Sequence, residues 1–195
     1  PAREDYALFA AADEPLIEAA AKDFAQFGTS VEPIEVDLST IEGVDRMLAA
    51  ANGRTIDLVC ANAGIGTGGP FLDLDVAAWR HSIDTNVTGT VYLLQKVLKA
   101  MVARGDGKIL VTGSIAGYIP GSFNAIYNAT KAFIDNFTEA LRNEIKDVDG
   151  VTLTTLMPGP TDTEFFARAD MLDTSVGQSD SKADPEKAVS YTHLR

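Results

Sequence analysis

Cysteine and histidine are scarce in this sequence: its 195 residues hold one Cys and two His. A single thiol excludes an internal disulfide framework, and so few soft ligands exclude a zinc cluster of the usual kind. Basic residues are also few, with 16 Lys and Arg against 28 Asp and Glu, a net charge of −12. So acidic a chain repels phosphate backbones and anionic lipid, which argues against nucleic-acid and membrane partners. No apolar run approaches the roughly 18 residues that cross a bilayer. No signal peptide is legible, and the expected location is the cytoplasm.

What is present is an ordinary globular mixture, 46% hydrophobic and 23% charged, long enough to bury a sizeable core. Apolar runs at 6–12, 31–36, 56–61, 108–112 and 151–157 predict strands. Pro33 suggests that the second of these lies at a sheet edge. Between them the spacing predicts helices. The first opens at Asp13-Glu14-Pro15 and stops before Gly28. The second, over 41–50, begins at a capping box, Ser39-Thr40-Ile41-Glu42. A long one over 76–103 carries Trp79, Ile83, Val87, Val91, Leu94, Leu98 and Met101 on one stripe, and another covers 125–146. Residues 171–184 read as a polar loop, and 185–189 as the start of a helix. Strands alternating with helices predict an α/β fold, a doubly wound and mostly parallel Rossmann-type sheet with helices on both faces. In such sheets ligands bind beyond the carboxyl ends of the strands.

Several motifs compete for a chemical reading. Gly64-Ile65-Gly66-Thr67-Gly68-Gly69 fits a dinucleotide fingerprint, but Pro70-Phe71-Leu72 follows where a helix should open, so the match is set aside. Tyr127 and Lys131 stand four residues apart on one helix face. An ammonium beside a phenol favours the phenolate, as a general acid/base needs. Ser114 follows a strand and precedes Tyr127 by 13 residues, so its hydroxyl could bind a carbonyl that Tyr127 protonates. Asn86 sits in the long helix on or beside an otherwise apolar face, where an amide needs a partner or a role. Asn62-Ala63-Gly64 ends a strand with small residues that a flat ligand can approach. His81 with Ser114 would suggest a hydrolase, but no Gly-x-Ser-x-Gly elbow surrounds the serine. The three Asn-x-Thr sequons, at Asn86, Asn128 and Asn136, fall inside predicted helices and are set aside. Cys60 is expected to be a buried small hydrophobe. Phe165-Phe166 could be a substrate lid or plain packing.

Asn62-Ala63-Gly64, Asn86, Ser114, Tyr127-x-x-x-Lys131 and Pro158-Gly159-x-Thr161-x-Thr163 stand in the order found in short-chain dehydrogenase/reductases, and from about Tyr6 to about Asp184 the sequence resembles that family. The resemblance implies an NAD(P)-dependent oxidoreductase that interconverts a small-molecule alcohol and carbonyl. Tyr127 would be the general acid/base. Lys131 would lower its pKa and hold the nicotinamide ribose, Ser114 would polarise the substrate carbonyl, and Asn86 would fix a relay water. Asn62, Ala63 and Gly64 would pack near the adenosine, and Asp37, in Val36-Asp37-Leu38, would contact the adenine amine. Pro158, Gly159, Thr161 and Thr163 would take the nicotinamide and pyrophosphate end. Asp13, past the first strand, could bind ribose hydroxyls, and no Arg stands beside it to take a phosphate, so the cofactor reading leans to NAD over NADP.

The family also implies a homodimer or homotetramer built on the two long helices. The family's Gly-rich phosphate loop has no match upstream of Tyr6, and Thr112-Gly113-x-x-x-Gly117 echoes it only out of place. Residues 1–189 are therefore expected to be one truncated dinucleotide-binding and catalytic domain, with 190–195 a non-native tail. Such a fragment alone is expected to bind dinucleotide poorly. The alternative is a non-catalytic binding or scaffold protein on the same fold.

Overall fold

A computed structural model describes residues 6–11, 14–174 and 177–190. The chain divides into two compact units, 1–56 and 57–195. In the first, β1 (Tyr6–Ala11) pairs in parallel with β2 (Ser30–Glu35), running from Tyr6 opposite Ser30 to Ala11 opposite Glu35. Helix α1 (Glu14–Ala25) connects them, and α2 (Ile41–Ala50) follows. The Arg54 guanidinium lies 3.2 Å above the centre of the Tyr6 ring and donates to the Ala50 carbonyl at 2.9 Å, fastening the end of α2 to β1. The cap of α2 differs from the expected box. Thr40 is the N-cap, its hydroxyl accepting from the Gly43 N–H at 2.9 Å, while the Ser39 N–H is taken by the Asp37 carboxylate. With the cap one residue later, Glu42 no longer occupies the box position.

In the second unit β3 (Leu58–Ala61), β4 (Gly107–Thr112) and β5 (Val151–Leu156) form a parallel sheet in that order. Strand β3 is shorter than expected. Alternation along β4 sets one face of this sheet inside: Ile109 and Val111 are fully buried while Lys108 is exposed. Cys60 pairs across from Leu110, on the less covered face, and is exposed. The expectation that it is buried is thereby corrected: the strand is apolar along its length but is not covered equally on both sides.

The expected long helix is three segments end to end. Helix α3 (Val76–Ile83) passes into a π-helical turn (Asp84–Gly89) and then α4 (Thr90–Arg104), whose Leu94 and Met101 are deeply buried. Periodicity cannot register this wider turn, because one extra residue barely disturbs an apolar stripe. Helix α5 (Ala125–Glu144) matches expectation closely. Two short helices follow, α6 (Phe165–Arg168) and α7 (Pro185–Ser190); α6 is too brief to show a periodic signal. Among the described residues no helix is long and apolar enough to cross a membrane.

Candidate active site

Strand β4 ends at Thr112, and Gly113 and Ser114 carry the chain off its carboxyl end into a 3-10 turn (Ile115–Tyr118). Ser114 caps that turn. Its Oγ accepts from the Ala116 N–H at 3.1 Å and reaches the Pro158 carbonyl at 3.5 Å. Pro158 follows β5, and its carbonyl also accepts from the Ile115 N–H at 3.2 Å. The loops beyond β4 and β5 are thus joined at the serine.

Tyr127 and Lys131 come from the first two turns of α5. Lys131 is only 6% exposed, and its ammonium donates to the Thr112 carbonyl at 2.6 Å, so the strand end holds the charge. The same nitrogen lies 5.8 Å from the centre of the Tyr127 ring. Burial pushes the Lys131 pKa down from 10.5 to about 8, against an opposing pull from the Asp135 carboxylate. The Tyr127 phenol is raised, by burial first and by Asp135 in addition, while a hydrogen bond with Ser114 pulls it down. Lys131 is not among the groups that shift the phenol here, and one of its donors goes to a backbone carbonyl.

Asn86 stands in the π-helical turn and is 2% exposed. Its Oδ1 accepts from the Ile65 N–H at 2.8 Å, and its Nδ2 donates to the Ile65 carbonyl and to Thr130 Oγ1, each at 2.9 Å. One amide therefore ties the loop after β3 to α5. Ser82, fully buried one turn earlier, donates to the same Ile65 carbonyl at 3.1 Å. Asn62, Ala63 and Gly64 are exposed at the end of β3, with the Asn62 Oδ1 accepting from the Thr112 hydroxyl at 2.9 Å. A Cβ on Gly64 would stand 3.3 Å from Asn86 Oδ1 and 3.5 Å from Lys131 Nζ, so this backbone runs directly over the polar group.

Thr161 and Thr163 use their hydroxyls within their own turn, on the Gly159 carbonyl at 2.9 Å and the Phe165 N–H at 3.3 Å. Gly159 and Thr163 are exposed. In the first unit Asp37 is exposed just past β2 and Leu38 is half-buried. Asp13 and Ala12 lie outside the described residues, as do 191–195. His81 is exposed whereas Ser114 is buried, which gives the hydrolase reading no support.

The Gly64–Gly69 run has a packing reason. A Cβ on Gly66 would come within 2.7 Å of the Ala169 Cβ and 2.8 Å of the Phe165 ring, and the Gly68 N–H donates to the Ala169 carbonyl at 2.9 Å. These glycines seat the segment after α6. Phe166, Ala169 and Met171 form a buried cluster there, while Phe165 lies against Tyr127 with ring centres 4.9 Å apart. Phe166 packs inside the cluster, and Phe165 packs against it while facing the phenol. Sequence reasoning missed the Thr112 carbonyl, Thr130, Ser82 and Asp135. A signal existed for Asp135 alone, an acid four residues after Lys131 on the stripe that also carries Ile134 and Thr138.

The short chain dehydrogenase family model matches residues 2–171, and the chain belongs to that family. An uncharacterized oxidoreductase of Myxococcus xanthus is 36% identical over 171 residues, 85% of this chain and 66% of that protein. The chain spans just under two thirds of that relative's length. Among solved structures, a short-chain dehydrogenase from Sphingobium yanoikuyae in complex with NADPH superimposes with a TM-score of 0.85 at 24% identity, over 95% of this chain and 72% of that one. A short chain dehydrogenase/reductase from Burkholderia phymatum in complex with NAD gives 0.77 at 23% identity, over 87% of this chain and 62% of that one. These likenesses show the fold, a Rossmann-type α/β arrangement of parallel sheets and flanking helices.

Proposed function

We propose that this chain carries the proton-transfer and substrate-orienting part of an NAD(P)-dependent alcohol–carbonyl oxidoreductase. The observation that carries the reading is the convergence of Ser114, Tyr127 and Lys131 at the carboxyl end of β4, with Lys131 buried and held by the Thr112 carbonyl. Burying a lysine is costly unless its charge is used, and a lysine with a pKa near 8 beside a buried phenol fits proton transfer near neutral pH.

A nicotinamide dinucleotide fits the residues present. The Asn62-Ala63-Gly64 backbone is exposed, and at Gly64 it passes close over Asn86 Oδ1 and Lys131 Nζ, which leaves a flat ligand room to lie against it. When bound, the nicotinamide accepts or supplies the hydride. The chain's own residues do the rest. Tyr127 exchanges a proton with the substrate oxygen. Ser114, which pulls the Tyr127 pKa down, orients that oxygen. Lys131 supplies positive charge beneath the phenol and a donor for a ribose hydroxyl. Asn86 holds the loop at Ile65, and the second lone pair of its Oδ1 would take a relay water. Pro158 and Gly159 are proposed to border the nicotinamide, and Thr161 and Thr163 the pyrophosphate; for Asp37 and Leu38, in the first unit, an adenine contact is proposed on the family resemblance alone. Since one structural neighbour holds NADPH and the other NAD, the proposal covers both dinucleotides.

Replacing Tyr127 with Phe keeps the ring and removes the proton. Turnover of a panel of secondary alcohols, followed at the nicotinamide absorbance, should fall on the order of 10²–10⁴-fold. Unchanged turnover would sink the mechanism and leave a non-catalytic binding protein on this fold.

A further inference from the structure

Behind the proposed catalytic group lies an acid that the reading above does not use. Asp135 stands one helical turn beyond Lys131 and two beyond Tyr127 on α5, and it is 3% exposed. Its carboxylate enters a space that two glycines leave open. A Cβ on Gly113 would stand 1.9 Å from Oδ1, and one on Gly117 would stand 2.5 Å from Oδ2. These glycines flank Ser114 in the turn off β4. Both carboxylate oxygens are buried without a well-formed hydrogen bond, and no direct ion pair with Lys131 is formed among the described residues. A buried acid left this way costs stability, and two positions must stay glycine to admit it.

We propose that Asp135 is a positioning residue: its carboxylate supplies the countercharge to Lys131 from behind and wedges the Gly113–Gly117 turn so that Ser114 faces Tyr127. This rests on the catalytic reading of Ser114, Tyr127 and Lys131. Electrostatics runs the same way as the geometry. Burial raises the Asp135 pKa, while the Ser114 N–H and Lys131 pull it down. In return Asp135 raises both Lys131 and Tyr127. On α5 itself the next acid is Glu139, one turn beyond Asp135, exposed and paired with Arg142 at 2.7 Å. The turn brings only Tyr118, which is exposed, and β5 brings none. Helix α3 and the π-helical turn bring Arg80 and Asp84, paired at 3.3 Å, and the exposed His81.

Asp135→Asn keeps the shape and removes the charge. Lys131 and Tyr127 then both titrate lower, so the alkaline limb of kcat/KM should move down by about one pH unit. A uniform loss at every pH, with the limb unmoved, would make Asp135 merely structural and overturn the proposal. A second measurement needs neither turnover nor a variant. In the native protein, the Lys131 side-chain NMR signal and the Ser114 amide signal should both respond as Asp135 titrates, above the usual aspartate range. Silence of both signals also overturns the proposal. The catalytic reading fails separately, through an active Tyr127→Phe protein, and that result would leave the NMR coupling intact.

Discussion

Lys131 is held almost out of water, and its ammonium titrates near 8 in the folded chain against 10.5 for an ordinary lysine. Between those values the unfolded chain binds more protons than the folded one, so the lysine's contribution to stability rises with pH. It is least favourable below pH 8 and is relieved towards pH 10.5. Measured against Lys131→Met, which cannot titrate, the native protein should gain on the order of 3 kcal/mol across that window in denaturant melts. A difference that stays flat with pH would contradict a buried, titrating amine. The same residue marks what the sequence made legible. Tyr127 and Lys131 were visible by their spacing. The partner of the ammonium was not, because it is the backbone carbonyl of Thr112, and any residue type would supply one.

The π-helical turn (Asp84–Gly89) shows how one element can be misread and its residue still found. The sequence predicts an unbroken helix and singles out Asn86 as a polar group on an apolar stripe. The wider turn aims that amide at Ile65 and Thr130, where it makes three hydrogen bonds. A buried hydrogen bond contributes roughly 1 kcal/mol net, and the Ile65 N–H would be left unpaired while its carbonyl keeps the Ser82 hydroxyl. Asn86→Ala should therefore lower stability by about 2–3 kcal/mol in chemical denaturation. A loss under about 0.5 kcal/mol would mean that the loop after β3 does not depend on this tie. Strands β4 and β5 and helix α5 were legible because their apolar runs are long and end at clear breaks. Helix α6 was not, since four residues hold barely one turn. The reason for the glycines in the turn off β4 was not legible either. The two resemble a displaced phosphate loop in sequence, yet in space they make room for Asp135.

At the scale of the molecule, a net charge of −12 works against any anionic ligand. A dinucleotide would have to be held by local groups, and Lys131 is the buried cation at the proposed site. Fold class was legible from the alternation of strands and helices alone, since parallel pairing follows from that order. Burial of individual strand residues was not, as the exposed Cys60 shows. Composition gives no hint that Ser114, Tyr127 and Lys131 meet; only the order of elements around β4 brings them together. If they act as one unit, their losses should not multiply. The deciding measurement is kcat for Tyr127→Phe, Lys131→Met and the double variant, each followed at the nicotinamide absorbance with a secondary alcohol. The double variant should be no more than about tenfold slower than the slower single variant. Losses that multiply in full would contradict a shared role for the two residues.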